Sequence, residues 1–159
     1  MKKSIKRGLS FGLTSGVITT LGLMIGLYSG THSKFVVIGG ILTIAIADAL
    51  SDATGIHISV EADKKNTKKD VWASTASTFF FKFIFALSFL IPVLIFSLRT
   101  AIIISLVYGL FLVAGLSYYI SKKNNKKPIK AILEHLFIAI LVVVLTYFVG
   151  NFVSTFFSP

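Results

Sequence analysis

GGILTIAIADALSDATGIHISVE, residues 39–61, is apolar and long enough to cross a bilayer, yet it carries two carboxylates, Asp48 and Asp52, four residues apart. A charged side chain at membrane depth costs between about 3 and 10 kcal/mol, so it is rare there without a purpose. The other apolar segments of the chain read as the housing for this one.

The composition supports that reading. Of 159 residues, 55% are hydrophobic and only 14% charged, whereas a soluble domain has about 25% charged residues. Five apolar segments in so short a chain would leave no surface for water. The expected fold is an all-α membrane protein, residues 1–159 forming one five-helix transmembrane domain. Its spans fall at about 9–30, 35–62, 71–97, 100–121 and 128–157. At 1.5 Å per residue each can cross a core of about 30 Å, and the second, third and fifth are long enough to tilt or project. The basic start MKKSIKRGLSFGL could pass for a signal peptide. The apolar run continues too far and has no small-residue cleavage site, so it reads as a retained first helix.

The net charge is +10. In a soluble protein that would suggest nucleic acid. Here the charge sits in short blocks between apolar segments, which is a topology signal, and no nucleic-acid partner is expected. Lys2, Lys3, Lys6 and Arg7 form one block. Lys64, Lys65, Lys68 and Lys69 form a second, and Lys122, Lys123, Lys126, Lys127 and Lys130 a third; the opposite side has only Lys34 and Arg99. With five spans all three blocks fall on one side, so the positive-inside rule gives the N-terminus inside and the C-terminus outside. The basic loops would face anionic lipid of a bilayer, with the cell membrane as the expected location. There is no cysteine, so no thiolate site exists and no prosthetic group is expected.

Span one carries Gly8, Gly12 and Gly16, then Gly22, Gly26 and Gly30. Each set makes a smooth stripe, and the two stripes lie on different faces, so this helix should pack closely against two neighbours. Ser15 and Thr19, with Thr14 and Thr20, offer oxygen atoms nearby. In span three, Pro92 removes a backbone hydrogen bond and should kink the helix. Trp72, Tyr118 and Tyr119 mark an interface, and Pro128 suits a first helical turn.

Helical geometry puts Asp48, Ser51, Asp52, Gly55 and Ser59 within roughly 60° of one direction, an oxygen-rich stripe. Counted from Phe35, Asp48 lies roughly 20 Å and Asp52 roughly 26 Å from the outer face, in the inner half of the bilayer. Two ionised carboxylates at this spacing repel, and a cation, a shared proton or a basic partner would relieve them. Asp48, Asp52, Ser51 and Ser59 are thus the candidate metal ligands. Lys82, roughly 24 Å deep, is nearly level with Asp48. It can form a structural ion pair, snorkel to the surface, or hold the empty site neutral and leave when a cation or proton arrives. His57 and Glu61 form a second pair at the same spacing on the opposite face of span two, a weaker candidate for metal. Glu134 is a possible proton partner that can equally pair with Lys130. No nucleophile elbow, H-E-x-x-H or phosphate loop is present, so no enzyme is expected.

These residues resemble the vacuolar iron transporter family, five-span transporters of ferrous iron and manganese, over nearly the whole length. Ser15-Gly16-Val17-Ile18-Thr19-Thr20-Leu21 is similar to the family's first-span motif. Ala49-Leu50-Ser51-Asp52-Ala53-Thr54-Gly55-Ile56-His57-Ile58-Ser59 is similar to its second-span motif, Ala86–Pro92 to an apolar run ending in proline, and Tyr147-Phe148-Val149-Gly150 to the end of its last span. The resemblance implies a homodimer with spans one and two lining the pathway, and export of a divalent cation from the cytosol against protons. Ser15 stands at the family's first-span aspartate, Asp52 at its methionine and Ile56 at its glutamate, and the family's cytosolic metal-binding insert is reduced to the short loop Asp63–Asp70. A carboxylate in place of a thioether shifts preference from Fe²⁺ toward harder ions such as Mn²⁺, Mg²⁺ or Ca²⁺. Two other readings stay open: a non-transporting membrane assembly protein with a structural Asp48–Lys82 bridge, and a monovalent cation/proton antiporter.

Overall fold

The computed structural model describes residues 3–123 and 127–157, so Lys2 and Lys126 of the basic blocks lie outside the described residues. These residues form six helices and, among them, no strand: α1 Lys3–Thr31, α2 Lys34–Glu61, α3 Lys68–Ser88, α4 Leu90–Ile95, α5 Leu98–Lys123 and α6 Pro128–Phe157. Five helical runs are long and apolar enough to cross a membrane, with α3 and α4 together (Lys68–Ile95) making the third. The chain therefore fits a multi-pass membrane protein.

Local chemistry sets the ends. Ser33 caps α2 by accepting from the Val36 backbone N–H, and His32 takes a left-handed conformation (φ 50°) that lets α1 reverse into α2. Thr67 and Asp70 form a reciprocal capping box at the start of α3. The third span breaks at Phe89, one turn before Pro92. Pro92 has no N–H to offer the Ser88 carbonyl four residues back, and its ring crowds that carbonyl. The expected kink is thus present, and it lies at Ser88–Phe89. Ser88 Oγ accepts from the Tyr108 hydroxyl (3.1 Å), tying the break to α5.

α1 is the central helix, and its two glycine stripes face two different neighbours. A Cβ on Gly12 would lie 2.8 Å from the Thr78 carbonyl oxygen, and one on Gly16 would lie 3.1 Å from the Lys82 carbonyl oxygen, so this stripe seats α3. A Cβ on Gly22 would lie 2.7 Å from Val142, and one on Gly30 3.2 Å from the Gly150 carbonyl oxygen, so the second stripe seats α6. Backbones this close gain dispersion that bulkier residues would prevent. α2 contributes a seam the sequence reading did not single out: Val37, Ile41, Ala45, Ala49 and Ala53, one turn apart and all buried. α6 fully buries only Ala139 and Gly150, packs Leu136 and Val143 against the core, and presents many of its other apolar side chains outward, as suits a lipid-facing helix.

The ends of the bundle differ. Lys3 and Arg7 share a cavity with Asp63 and Lys65, and another with Lys123, so the start of α1, the α2–α3 loop and the end of α5 meet at one basic end. At the other end Lys34 Nζ donates to the carbonyls of Leu94 (3.3 Å) and Phe96 (3.1 Å), closing the end of α4.

Candidate functional site

Three helices meet at mid-bundle with polar side chains. Asp48 is 14 residues from the start of α2 and 13 from its end. Lys82 is 14 residues from the start of the third span and 13 from its end. Each lies about 20 Å from either end of its helical run. Asp48 is thus at the midpoint of its helix, and Asp52 is one turn toward the basic end. On α1, Ser15 and Thr19 straddle the helix midpoint.

Lys82 is 1% exposed and is among the largest fully buried side chains of the described residues. The absent side chains of Gly12 and Gly16 leave room for its stem, since a Cβ at Gly16 would meet Lys82 Cγ at 3.1 Å. Its ammonium lies 2.6 Å from Asp48 Oδ2, donates to Asp52 Oδ2, and donates to Ser15 Oγ at 2.9 Å. Two of its N–H donors are thus placed in hydrogen bonds, and Asp48 adds a close ion pair. Ser15 Oγ in turn donates to Asp52 Oδ2 (2.7 Å), and Thr19 Oγ1 donates to Asp48 Oδ2 (2.8 Å) while lying 2.8 Å from the Ser15 carbonyl.

The electrostatics follow from this count. Two carboxylates surround one ammonium, so with all three ionised the cluster carries one surplus negative charge at mid-bundle. The carboxylates are not sealed: their side chains are 26% and 22% exposed. Among the described residues neither Oδ1 atom takes a hydrogen bond. Each aspartate therefore has one oxygen committed to Lys82 and one available to an ion, water or a proton.

Other candidates fall elsewhere. Ser51 and Ser59 are exposed, and no hydrogen bond joins them to the carboxylates. The stripe that looks continuous on paper splits, because Lys82 approaches from the Ala49–Ala53 side and Ser51 lies on the other flank of Asp48. Ser15, a lesser candidate from sequence, is instead at the centre, bonded to both Lys82 and Asp52. The sign in the sequence was the Ser15/Thr19 pair, four residues apart and beside the glycine stripe.

His57 and Glu61 lie toward the basic end, where both line a cavity of ≈ 390 Å³ with Trp72 and Lys68. His57 Nδ1 is 3.0 Å from Thr75 Oγ1, and its ring meets the Trp72 edge with centroids 4.9 Å apart. Thr75 Oγ1 also donates to the Val71 carbonyl (2.9 Å). Glu134 is exposed, 3.9 Å from Lys130 Nζ, in a surface pair of small energetic value. Its neighbour His135 bonds Ser117 Oγ (2.8 Å) between α6 and α5. Among the described residues no group of three or more His, Asp or Glu side chains gathers. A cation at this site would therefore meet two carboxylates plus the hydroxyls of Ser15 and Thr19.

Compared with known proteins, the sequence matches no family model and no curated protein.

Proposed function

We propose that this protein is a cation transporter in which Asp48 and Asp52 take up a divalent ion, such as Mn²⁺ or Fe²⁺, in exchange for protons. The observation that carries the reading is the buried Lys82 ammonium held between two part-open carboxylates at mid-bundle. Charge balance says how the exchange runs. With Lys82 protonated and one aspartate protonated, the cluster is neutral. With a divalent ion bound, both aspartates ionised and Lys82 neutral, it is neutral again. One M²⁺ against two protons thus avoids a bare charge at membrane depth in either state. Ser15 and Thr19 hold the carboxylates in place when Lys82 lets go.

The resemblance to vacuolar iron transporters supports the same reading. It adds the rest of the proposal: the N-terminus and basic end in the cytosol, the C-terminus outside, export across the cell membrane, and a homodimer. On α2, Gly39, Thr43, Ala47, Ser51, Gly55 and Ser59 make an exposed small-residue stripe beside the aspartates. A Cβ at Gly39 or Gly55 would meet nothing within 4 Å in the single chain. Such a stripe suits a second α2, whose approach would cover the open carboxylate oxygens and bring Ser51 back to the ion.

The test is flux in proteoliposomes. Mn²⁺ movement accompanied by counter-moving protons is expected for the wild type, with loss in both Asp48→Asn and Asp52→Asn. Unchanged Mn²⁺ flux in those variants would sink the assignment. A second reading is favoured by one observation: with Lys82 in place the surplus charge is a single negative, which a monovalent ion or one proton neutralises. Proton flux driven by Na⁺ or K⁺, and indifferent to Mn²⁺, would select it.

A further inference from the structure

A second site, distinct from the aspartate cluster, lies at the basic end between α1 and α5. It is a cavity of ≈ 260 Å³ lined by Lys3, Lys6, Arg7 and Lys123, with Ser10 and Tyr119 also on its wall. No acidic side chain lines it. Lys6, from the start of α1, and Lys123, from the end of α5, both line it. Two ammonium groups are both donors with no acceptor between them, so neither can satisfy the other, and neither forms an ion pair with an acidic side chain among the described residues. Lys123 Nζ lies over the Tyr119 ring, 5.8 Å from its centroid, and both residues line the cavity. What such a pocket lacks is an anion with several acceptor oxygens.

We propose that this cavity binds a phosphate group, and that its source is the headgroup of an anionic lipid. Phosphate supplies acceptors for both lysines, and Arg7 lies on the same wall. The lipid source follows from the walls: Leu9 and Ile120 also line the cavity, at the ends of two apolar helices, where a glycerol backbone and acyl chains would continue the contact. Basic pockets between helices at a membrane surface suit such headgroups.

The test uses the full chain in phosphatidylcholine micelles, titrated with phosphatidylglycerol and read as a thermal stability shift. Phosphatidylglycerol should stabilise the protein saturably. Lys6→Gln with Lys123→Gln should weaken the apparent affinity about fivefold per lysine, so about 25-fold together. Lys6→Arg with Lys123→Arg, which keeps both charges, should retain it. Lys64→Gln with Lys69→Gln removes the same charge outside the cavity and should leave the affinity unchanged. Equal weakening by the two glutamine pairs, or no preference for phosphatidylglycerol, overturns the site. Stabilisation by inorganic phosphate that matches the lipid and is lost in Lys6→Gln with Lys123→Gln overturns the lipid source and assigns the cavity to a free anion.

Discussion

α2 carries two polar pairs at the same four-residue spacing, Asp48/Asp52 and His57/Glu61, and the bundle treats them differently. The first pair faces α3 where Gly12 and Gly16 of α1 let Lys82 fold inward, and it closes around a buried ammonium. The second lies past the tightest packing, beside a cavity at the basic end, where His57 hydrogen-bonds Thr75 and makes a T-shaped ring contact with Trp72. Spacing made both pairs. Depth and the side chain on the neighbouring helix made one of them a charge cluster and left the other a helix end. The cluster has to be neutralised from within the protein, and the helix end can be neutralised by water.

Removing the ammonium should break this contrast most strongly. Lys82→Met leaves two carboxylates without their cation, and breaking a buried ion pair costs about 3–5 kcal/mol. Equilibrium unfolding in detergent should register that loss, and adding Asp48→Asn and Asp52→Asn should recover most of it. A Lys82→Met protein as stable as wild type would mean the ammonium does not organise the cluster. Ser15→Ala comes next. It deletes a hydroxyl that accepts from Lys82 and donates to Asp52, and hydrogen bonds to charged groups are each worth about 1.5–3 kcal/mol. The same assay checks it, with Thr14→Ala as a neighbouring control that should change little.

Gly55 lies between the two pairs and sharpens the comparison from outside. In a single chain Gly55→Ala meets open space and should stabilise α2 by about 1 kcal/mol. If α2 packs on a second copy, as proposed, the added methyl should shift the monomer–dimer balance toward monomer, read by light scattering in detergent. A gain in stability with unchanged association would remove the dimer face from this stripe. The smallest effect should come from His57→Ala. It loses one hydrogen bond to Thr75 and an edge-on ring contact, about 0.5–1.5 kcal/mol. It should leave cation flux close to wild type, because His57 stands about 14 Å along α2 from Asp48. A collapse of flux in that variant would make the second pair part of the pathway.

Much of the molecule was legible one residue at a time. Five apolar runs and three basic blocks specify the five membrane-length helical runs and the shared basic end, because hydropathy and charge act locally and need no partner. The two neighbours of α1 were legible only in part: glycines every fourth residue must form a stripe, but Gly12 and Gly26 lie only about 40° apart around the helix, so the stripes meet α3 and α6 at two heights and not on two opposite faces. The kink before Pro92 follows from a missing N–H. The level of Lys82 with Asp48 could be counted from helical rise alone.

The tertiary structure decided which polar atoms meet. Ser51 and Ser59 share the aspartates' arc on a helical wheel, yet they are exposed, and Ser15 and Thr19 from another helix take the positions beside the carboxylates. A wheel gives direction around one axis and says nothing of which neighbour approaches on which flank. That depends on how closely α1, α2 and α3 can pack, and so on where Gly12, Gly16, Ala49 and Ala53 coincide in space. Whether a charge at mid-bilayer is an isolated penalty or part of a cluster is a property of three helices together, which no single stretch of sequence contains.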